Sequence, residues 1–226
     1  MSLRAIVFDF DGVIANSEPL HFLAYRDVLV EEGVTLTEAD YYARYLGFDD
    51  VGAFEAIGGS QGPVWNRAQI DGLVVRKARR LEELERDTSV LFRGAAEAIR
   101  RAAAAMPIAI ASGARGEEIR RVLIREDLIG CFTAIVAAED TPVSKPAPDP
   151  YLRALALLAP SFDTPLRPAD CVAIEDSHWG LESARAAGLR TVAVTNTYPA
   201  DELSADLTIA SLDALDLGLV ARLCSV

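Results

Sequence analysis

The sequence predicts an α/β fold in which a parallel sheet carries an all-helical insert after its first strand. Three observations point there. Short, nearly continuous apolar runs recur at Arg4–Phe10, Pro107–Ser112, Ala134–Ala138, Cys171–Glu175, Thr191–Thr195 and Leu207–Ile209. Helix-period stretches separate the later runs, at Arg115–Arg125, Asp149–Leu158 and Trp179–Ala187. The long span between the first two runs reads as helix rather than strand. Strands that are apolar on both faces and alternate with helices are parallel strands covered on both sides.

The insert is legible in order. Glu18–Glu32, Glu38–Leu46, Val51–Ile57 and Asn66–Arg86 have helical patterning, and Gly58 to Pro63 is expected to break the set. The last helix repeats Ile70, Leu73, Val74, Lys77, Leu81 and Leu84 at helical spacing, with Arg and Glu between. Such a block after the first strand predicts a lid with hinges near Asn16-Ser17 and Asp87-Thr88. The expected division is a core of residues 1–16 and 88–226 and a helical cap of residues 17–87. In the core, Gly188 after Ala186-Ala187 has the position of a helix C-cap before the next strand.

A chain of 226 residues, 51% hydrophobic and 25% charged, can bury a sizeable core as one domain bearing a smaller one. Its net charge of −12 argues against nucleic acid and anionic membrane as main partners. The same field would repel a small phosphorylated ligand, so a phosphate site here needs local cations, a metal or helix N-termini. Cys131, Cys171 and Cys224 form no CxxC pair and read as reduced, mostly buried thiols. The N-terminus runs straight into a strand-like segment and no apolar run approaches the roughly 20 residues of a membrane span, so a cytoplasmic enzyme is expected.

Four short segments could carry chemistry. Asp9-Phe10-Asp11-Gly12 follows an apolar strand directly. Residues two apart on an extended chain project to one side, at the strand end where open α/β sheets bind ligands. Two carboxylates so placed either share a hard cation such as Mg2+ or form an acidic turn that Gly12 shapes. Glu175-Asp176-Ser177 ends another apolar run; its acids either complete a metal cage or cap the following helix. Ser112-Gly113 ends a third run, where hydroxyl and backbone N–H groups either hold phosphate oxygens or cap a helix. Lys145 lies in the stiff loop Ser144-Lys145-Pro146-Ala147-Pro148, and a buried lysine there supplies the local cation demanded above.

In this order the four segments resemble the haloacid dehalogenase superfamily of phosphotransferases. The similarity is to the branch with a helical cap after the first strand, which includes phosphoglycolate phosphatase-like and β-phosphoglucomutase-like enzymes, and it covers nearly the whole chain. It implies a Rossmann-like core and a Mg2+-dependent phosphatase acting on a small phosphorylated metabolite, as a monomer or weak dimer. By this resemblance Asp9 is the nucleophile and Asp11 the general acid and base. Asp9, the Asp11 carbonyl and Asp176 hold Mg2+, with Glu175 either a further direct ligand or a support behind the ligands, and Ser112, Gly113 and Lys145 bind the phosphoryl group. Asp11 also argues against the superfamily's dehalogenase chemistry, which needs neither Mg2+ nor a second carboxylate.

In the cap, His21 follows Glu18-Pro19-Leu20 at the spacing of the family's cap entrance. It either reaches the substrate or is a polar residue of a helix face. Lys77 is either directed to the substrate or solvated among Arg76, Arg79 and Arg80. His178 directly follows the second acidic segment and reads as structural or as a support for the metal ligands. A sugar-phosphate mutase is the alternative enzyme, but it needs a second phosphate-binding cation in the cap. Related mutases tend to place an arginine after a Leu-Gly turn, whereas Leu46-Gly47-Phe48-Asp49-Asp50 places acids there; Arg44 or Lys77 would have to substitute. Ser144 departs from the glycine common before the lysine. A binding module with an inactive site is the non-enzyme alternative.

Overall fold

The computed structural model describes residues 3–45, 48, 50–61, 63–86 and 89–224. The chain divides into two compact units, Met1–Asn16 with Leu91–Val226, and Ser17–Val90. The expected hinge at Asp87-Thr88, and Leu46, Gly47 and Asp49 of the expected cap turn, lie outside the described residues.

The first unit is a six-stranded, all-parallel sheet. Its strands are β1 (Ala5–Phe8), β2 (Ile108–Ala111), β3 (Ala134–Val136), β4 (Cys171–Glu175), β5 (Arg190–Val194) and β6 (Leu207–Ile209), in the order β3-β2-β1-β4-β5-β6. β1 and β4 are buried at every residue. Alternate residues serve the two faces: Ala5, Val7, Ala109, Ala173 and Cys171 pack with Tyr151, Ala154, Leu158 and Ala184. These last belong to helices α7 (Asp149–Leu158) and α8 (His178–Ala186). Small alanines in the strands let those helices approach closely, which is why the runs read as continuous apolar strands.

Two further helices, α5 (Ala95–Ala105) and α9 (Leu217–Leu223), are additional to those the sequence predicted. Most of α5 is alanine, whose small side chain gives weak hydropathy contrast, although Ala95, Ala98, Ile99 and Ala102 do line one buried face. α9 has only seven residues and one fully buried side chain, Val220. The predicted helix of 115–125 is α6 (Gly116–Arg125).

The second unit is helical: α1 (Glu18–Glu31), the short α2 (Glu38–Asp40) running into a π-turn at Tyr41–Tyr45, α3 (Asp50–Gln61) and α4 (Arg67–Arg86). Its core joins Tyr25, Leu29, Tyr41, Phe54, Ile57, Ile70 and Leu73. The break between α3 and α4 begins later than expected, because α3 continues through Gly58 and Gly59 to Gln61. A Cβ on Gly58 would lie 2.6 Å from the Pro63 carbonyl oxygen and 2.8 Å from Trp65 Cε3, so close packing accounts for that glycine. A helical glycine costs only about 1 kcal/mol relative to alanine, which packing can offset. Among the described residues no helix is long and apolar enough to cross a membrane, and no disulfide forms.

Candidate active site

Sheet register explains why the two acidic segments meet. β1 and β4 are neighbours with Phe8 opposite Ile174, and the Asp9 N–H donates to the Ile174 carbonyl at 2.9 Å. The next residues on both strands, Asp9 on one and Glu175-Asp176 on the other, therefore emerge side by side at the carboxyl edge. Ligand oxygens of Asp9, Glu175 and Asp176 lie within 4.8 Å of one another, and all three residues are buried. β2 flanks β1 on its other side, with Ile110 opposite Phe8, so Ser112 ends at the same edge.

Lys145 is the cation in this cluster. Its Nζ is 2.6 Å from Glu175 Oε1 and 2.8 Å from Asp9 Oδ1, with 13% of the side chain exposed. It also stands 5.2 Å from the centre of the Tyr151 ring, whose hydroxyl donates to the same Glu175 oxygen at 2.7 Å. Glu175 Oε2 accepts from the Asp176 N–H at 3.2 Å and the Ser177 hydroxyl at 3.3 Å. Both oxygens of Glu175 thus already have protein donors, an arrangement that anchors Lys145. A Cβ on Gly180 would overlap the Glu175 carboxylate, so glycine there makes room for this buried acid.

Asp9 is less well satisfied. The ammonium lies close to Oδ1 but off the direction of a hydrogen bond, leaving that buried oxygen without a hydrogen-bond partner. Burial, then the Glu175 charge, push the Asp9 carboxyl well above the usual carboxylate range; Lys145 opposes this and Asp176 adds to it. Burial pushes Asp176 up to about 6, against a hydrogen bond from Thr197 and with a further push from Glu175. Burial alone would lower the Lys145 ammonium, but Asp9 and Glu175 outweigh it and hold Lys145 charged. One positive charge among three buried carboxylates leaves a negative excess that a proton or a cation must compensate. The orphaned Asp9 oxygen, the all-oxygen donor set and that excess fit a hard divalent cation such as Mg2+.

Other predicted residues fall into place unevenly. Asp11 is exposed and pairs through its backbone with Ala15 in the tight loop after β1. Gly12, at φ +78°, allows that loop, and a Cβ there would overlap the Asp176 carboxylate. Ser112 is 4% exposed, and its Oγ accepts from the Ala114 N–H at 3.1 Å; Gly113 beside it is exposed. The N-terminus of α6 is less open to an anion than expected, because the Gly116 N–H donates to Glu139 Oε1 at 3.1 Å. His178 is exposed and packs its ring 4.8 Å from that of Tyr198.

His21 and Lys77 meet inside the helical unit. Lys77 is 2% exposed, which overturns its reading as a solvated lysine. Its Nζ lies 2.7 Å from Asp50 Oδ1, 3.0 Å from His21 Nδ1 and 4.7 Å from the centre of the Tyr25 ring. Tyr25 donates to the same Asp50 oxygen at 2.6 Å. Burial pushes the Asp50 carboxyl up, but Lys77 and Tyr25 together hold it below the usual range. Asp50 is therefore the counter-ion of Lys77.

Sequence reasoning missed several supports. Tyr151 braces Glu175, and Thr197 and Asn196 reach the site from the loop after β5. A tyrosine in an amphipathic helix and a threonine in a loop carry no local signal of such work. Only the parallel sheet order, which sets β5 beside β4, could have suggested the last two.

Sheet order, edge position and clustered acids define a class: an α/β core with a buried acidic cluster at the carboxyl ends of its central strands. The chain belongs to the haloacid dehalogenase-like hydrolases, whose family profile matches residues 6–194. It is an enzyme of that family. Hexitol phosphatase B of Escherichia coli K12 is 31% identical, over 94% of this chain and 94% of the relative. β-Phosphoglucomutase of Bacillus subtilis is 30% identical, over 96% of this chain and 94% of the relative. The crystal structure of a CbbY variant from Rhodobacter sphaeroides in complex with xylulose-1,5-bisphosphate superposes with a TM-score of 0.75. It is 25% identical, covering 94% of this chain and 96% of that one.

Proposed function

We propose that this protein is a Mg2+-dependent phosphatase that hydrolyses a small phosphate monoester, a sugar phosphate or a phosphoglycolate-like acid, through an aspartyl-phosphate on Asp9. The observation that carries this reading is the convergence of Asp9, Glu175 and Asp176 within 4.8 Å around the Lys145 ammonium. Phosphoryl transfer asks a protein chiefly for position and charge neutralisation, and this cluster supplies both.

An Asp9 carboxylate oxygen attacks phosphorus while the ester P–O bond breaks, and Asp11 gives the leaving oxygen its proton. Asp11, now a carboxylate, takes a proton from water, whose oxygen attacks the aspartyl-phosphate, releasing inorganic phosphate, freeing the Asp9 carboxylate and returning Asp11 to its protonated form. Lys145 holds a phosphoryl oxygen and balances Asp9; Ser112 and the Gly113 N–H bind further phosphoryl oxygens. Asp9, the Asp11 carbonyl and Asp176 would hold the cation, which supplies charge neutralisation to the transferring group. Glu175 acts by fixing Lys145. The helical unit, in this reading, serves as a lid that sets substrate choice through residues such as His21 and Lys77.

A mutase needs a second cationic site for its second phosphate. The pairing of Lys77 with Asp50 removes one candidate, which favours hydrolysis over intramolecular transfer. A panel of phosphorylated hexitols, hexoses, pentuloses and short acids, assayed for phosphate release with Mg2+ and with chelator, tests the proposal. Chelator-sensitive release from one class supports it. Interconversion of phosphate isomers without net release would replace it by the mutase reading.

A further inference from the structure

The loop after β5 reaches back to both acidic segments. Thr197 donates its hydroxyl to Asp176 Oδ2, and Asn196 Nδ2 donates to the Gly12 carbonyl at 2.8 Å. Two adjacent residues thereby join the end of β4 to the turn that follows β1, far away in sequence. The need for such a tie is physical. Asp176 is 5% exposed, and a carboxylate free to rotate there would change the direction of its cation-facing oxygen. Gly12 presses against the same carboxylate, so the Gly12 turn and Asp176 must be placed together.

We propose that Thr197 is a positioning residue for Asp176 as a cation ligand, with Asn196 holding the Gly12 turn against it. This rests on the function proposed above. A hydrogen bond to one carboxylate oxygen fixes the plane of the group and hence the direction of the other. Removing such an outer support typically weakens metal affinity by about 10- to 100-fold. Thr197 is itself exposed and Asn196 is half-buried, so their substitution leaves the core packing intact.

The test is Mg2+ binding to the full chain without substrate, followed by calorimetry and by the Mg2+-dependent rise in unfolding temperature. Thr197→Val keeps the shape and removes the donor; it should weaken Mg2+ binding about tenfold or more. Thr197→Ser restores the hydroxyl and should return affinity to within about threefold of the parent. Asn196→Ala should weaken binding in the same direction. Equal Mg2+ affinity in the parent and Thr197→Val overturns this inference while leaving the proposed function standing. Failure of Thr197→Ser to restore binding also overturns it, since the hydroxyl would then not be the operative group. Absence of Mg2+ binding by the parent chain would instead remove the cation site on which the inference rests.

Discussion

The Lys145 ammonium sits 2.6 Å from Oε1 of Glu175, a side chain with no exposure at all. This pair connects the proline-rich loop to the end of β4, and the same ammonium also faces Asp9. Removing it leaves buried carboxylates without their cation. Lys145→Met should therefore destabilise the protein by about 3 kcal/mol in denaturant unfolding, because an uncompensated buried charge remains. It should also lower turnover of every phosphate ester, whatever the organic group. Unchanged stability, or a loss confined to one substrate, would contradict this role.

The pH dependence has a definite sign. Asp176 in the folded, metal-free protein holds its proton up to about 6, because burial, with Glu175, outweighs the Thr197 hydrogen bond. An unfolded aspartate releases it near about 4. The folded state binds more protons between those values, so metal-free stability should fall as pH rises from about 4 through about 6. Mg2+ competes with that proton, so its apparent affinity should rise over the same window. Unfolding temperatures at pH 5 and pH 7, with Mg2+ and with chelator, check both statements.

Gly12 is predicted to be intolerant of a side chain. Its φ of +78° is strained for an L-residue, and the added carbon would strike Asp176. Gly12→Ala should cost about 1–2 kcal/mol of stability and weaken Mg2+ binding, whereas Gly59→Ala, with open space around its Cβ, should do neither. Equal effects of the two substitutions would refute this account of the turn.

In the helical unit, Asp50→Ala should destabilise more than Lys77→Met. The first strands a buried ammonium; the second replaces it by an apolar chain of similar length. A difference of about 1–2 kcal/mol in urea unfolding is expected. Under the proposed lid role, both substitutions should also alter the ranking of substrates.

The sheet and the meeting of the two acidic segments at its edge were legible because they rest on local signals. Uninterrupted apolar strands ending in acids, as at Phe8-Asp9 and Ile174-Glu175, show at once where a parallel sheet ends and its ligand edge begins. What escaped depends on partners distant in sequence. Lys77 looks like any lysine of a charged helix until Asp50, His21 and Tyr25 close around it. Gly58 looks like a helix breaker until Trp65 packs upon it. The cap on α6 from Glu139 likewise arises from the neighbouring strand's loop, and no local pattern near Gly116 announces it.

Under the proposed function, Asp9 is phosphorylated in a cation-dependent site. The most direct test of that step compares the parent chain with Asp9→Asn, incubated with a turned-over phosphate ester and Mg2+, and quenched in acid for mass spectrometry of the active-site peptide. The parent should show an acid-stable mass increase of one phosphoryl group on the peptide containing Asp9, lost on treatment with hydroxylamine. Asp9→Asn should show neither the adduct nor phosphate release, while still unfolding cooperatively. Undiminished phosphate release by Asp9→Asn would contradict the account.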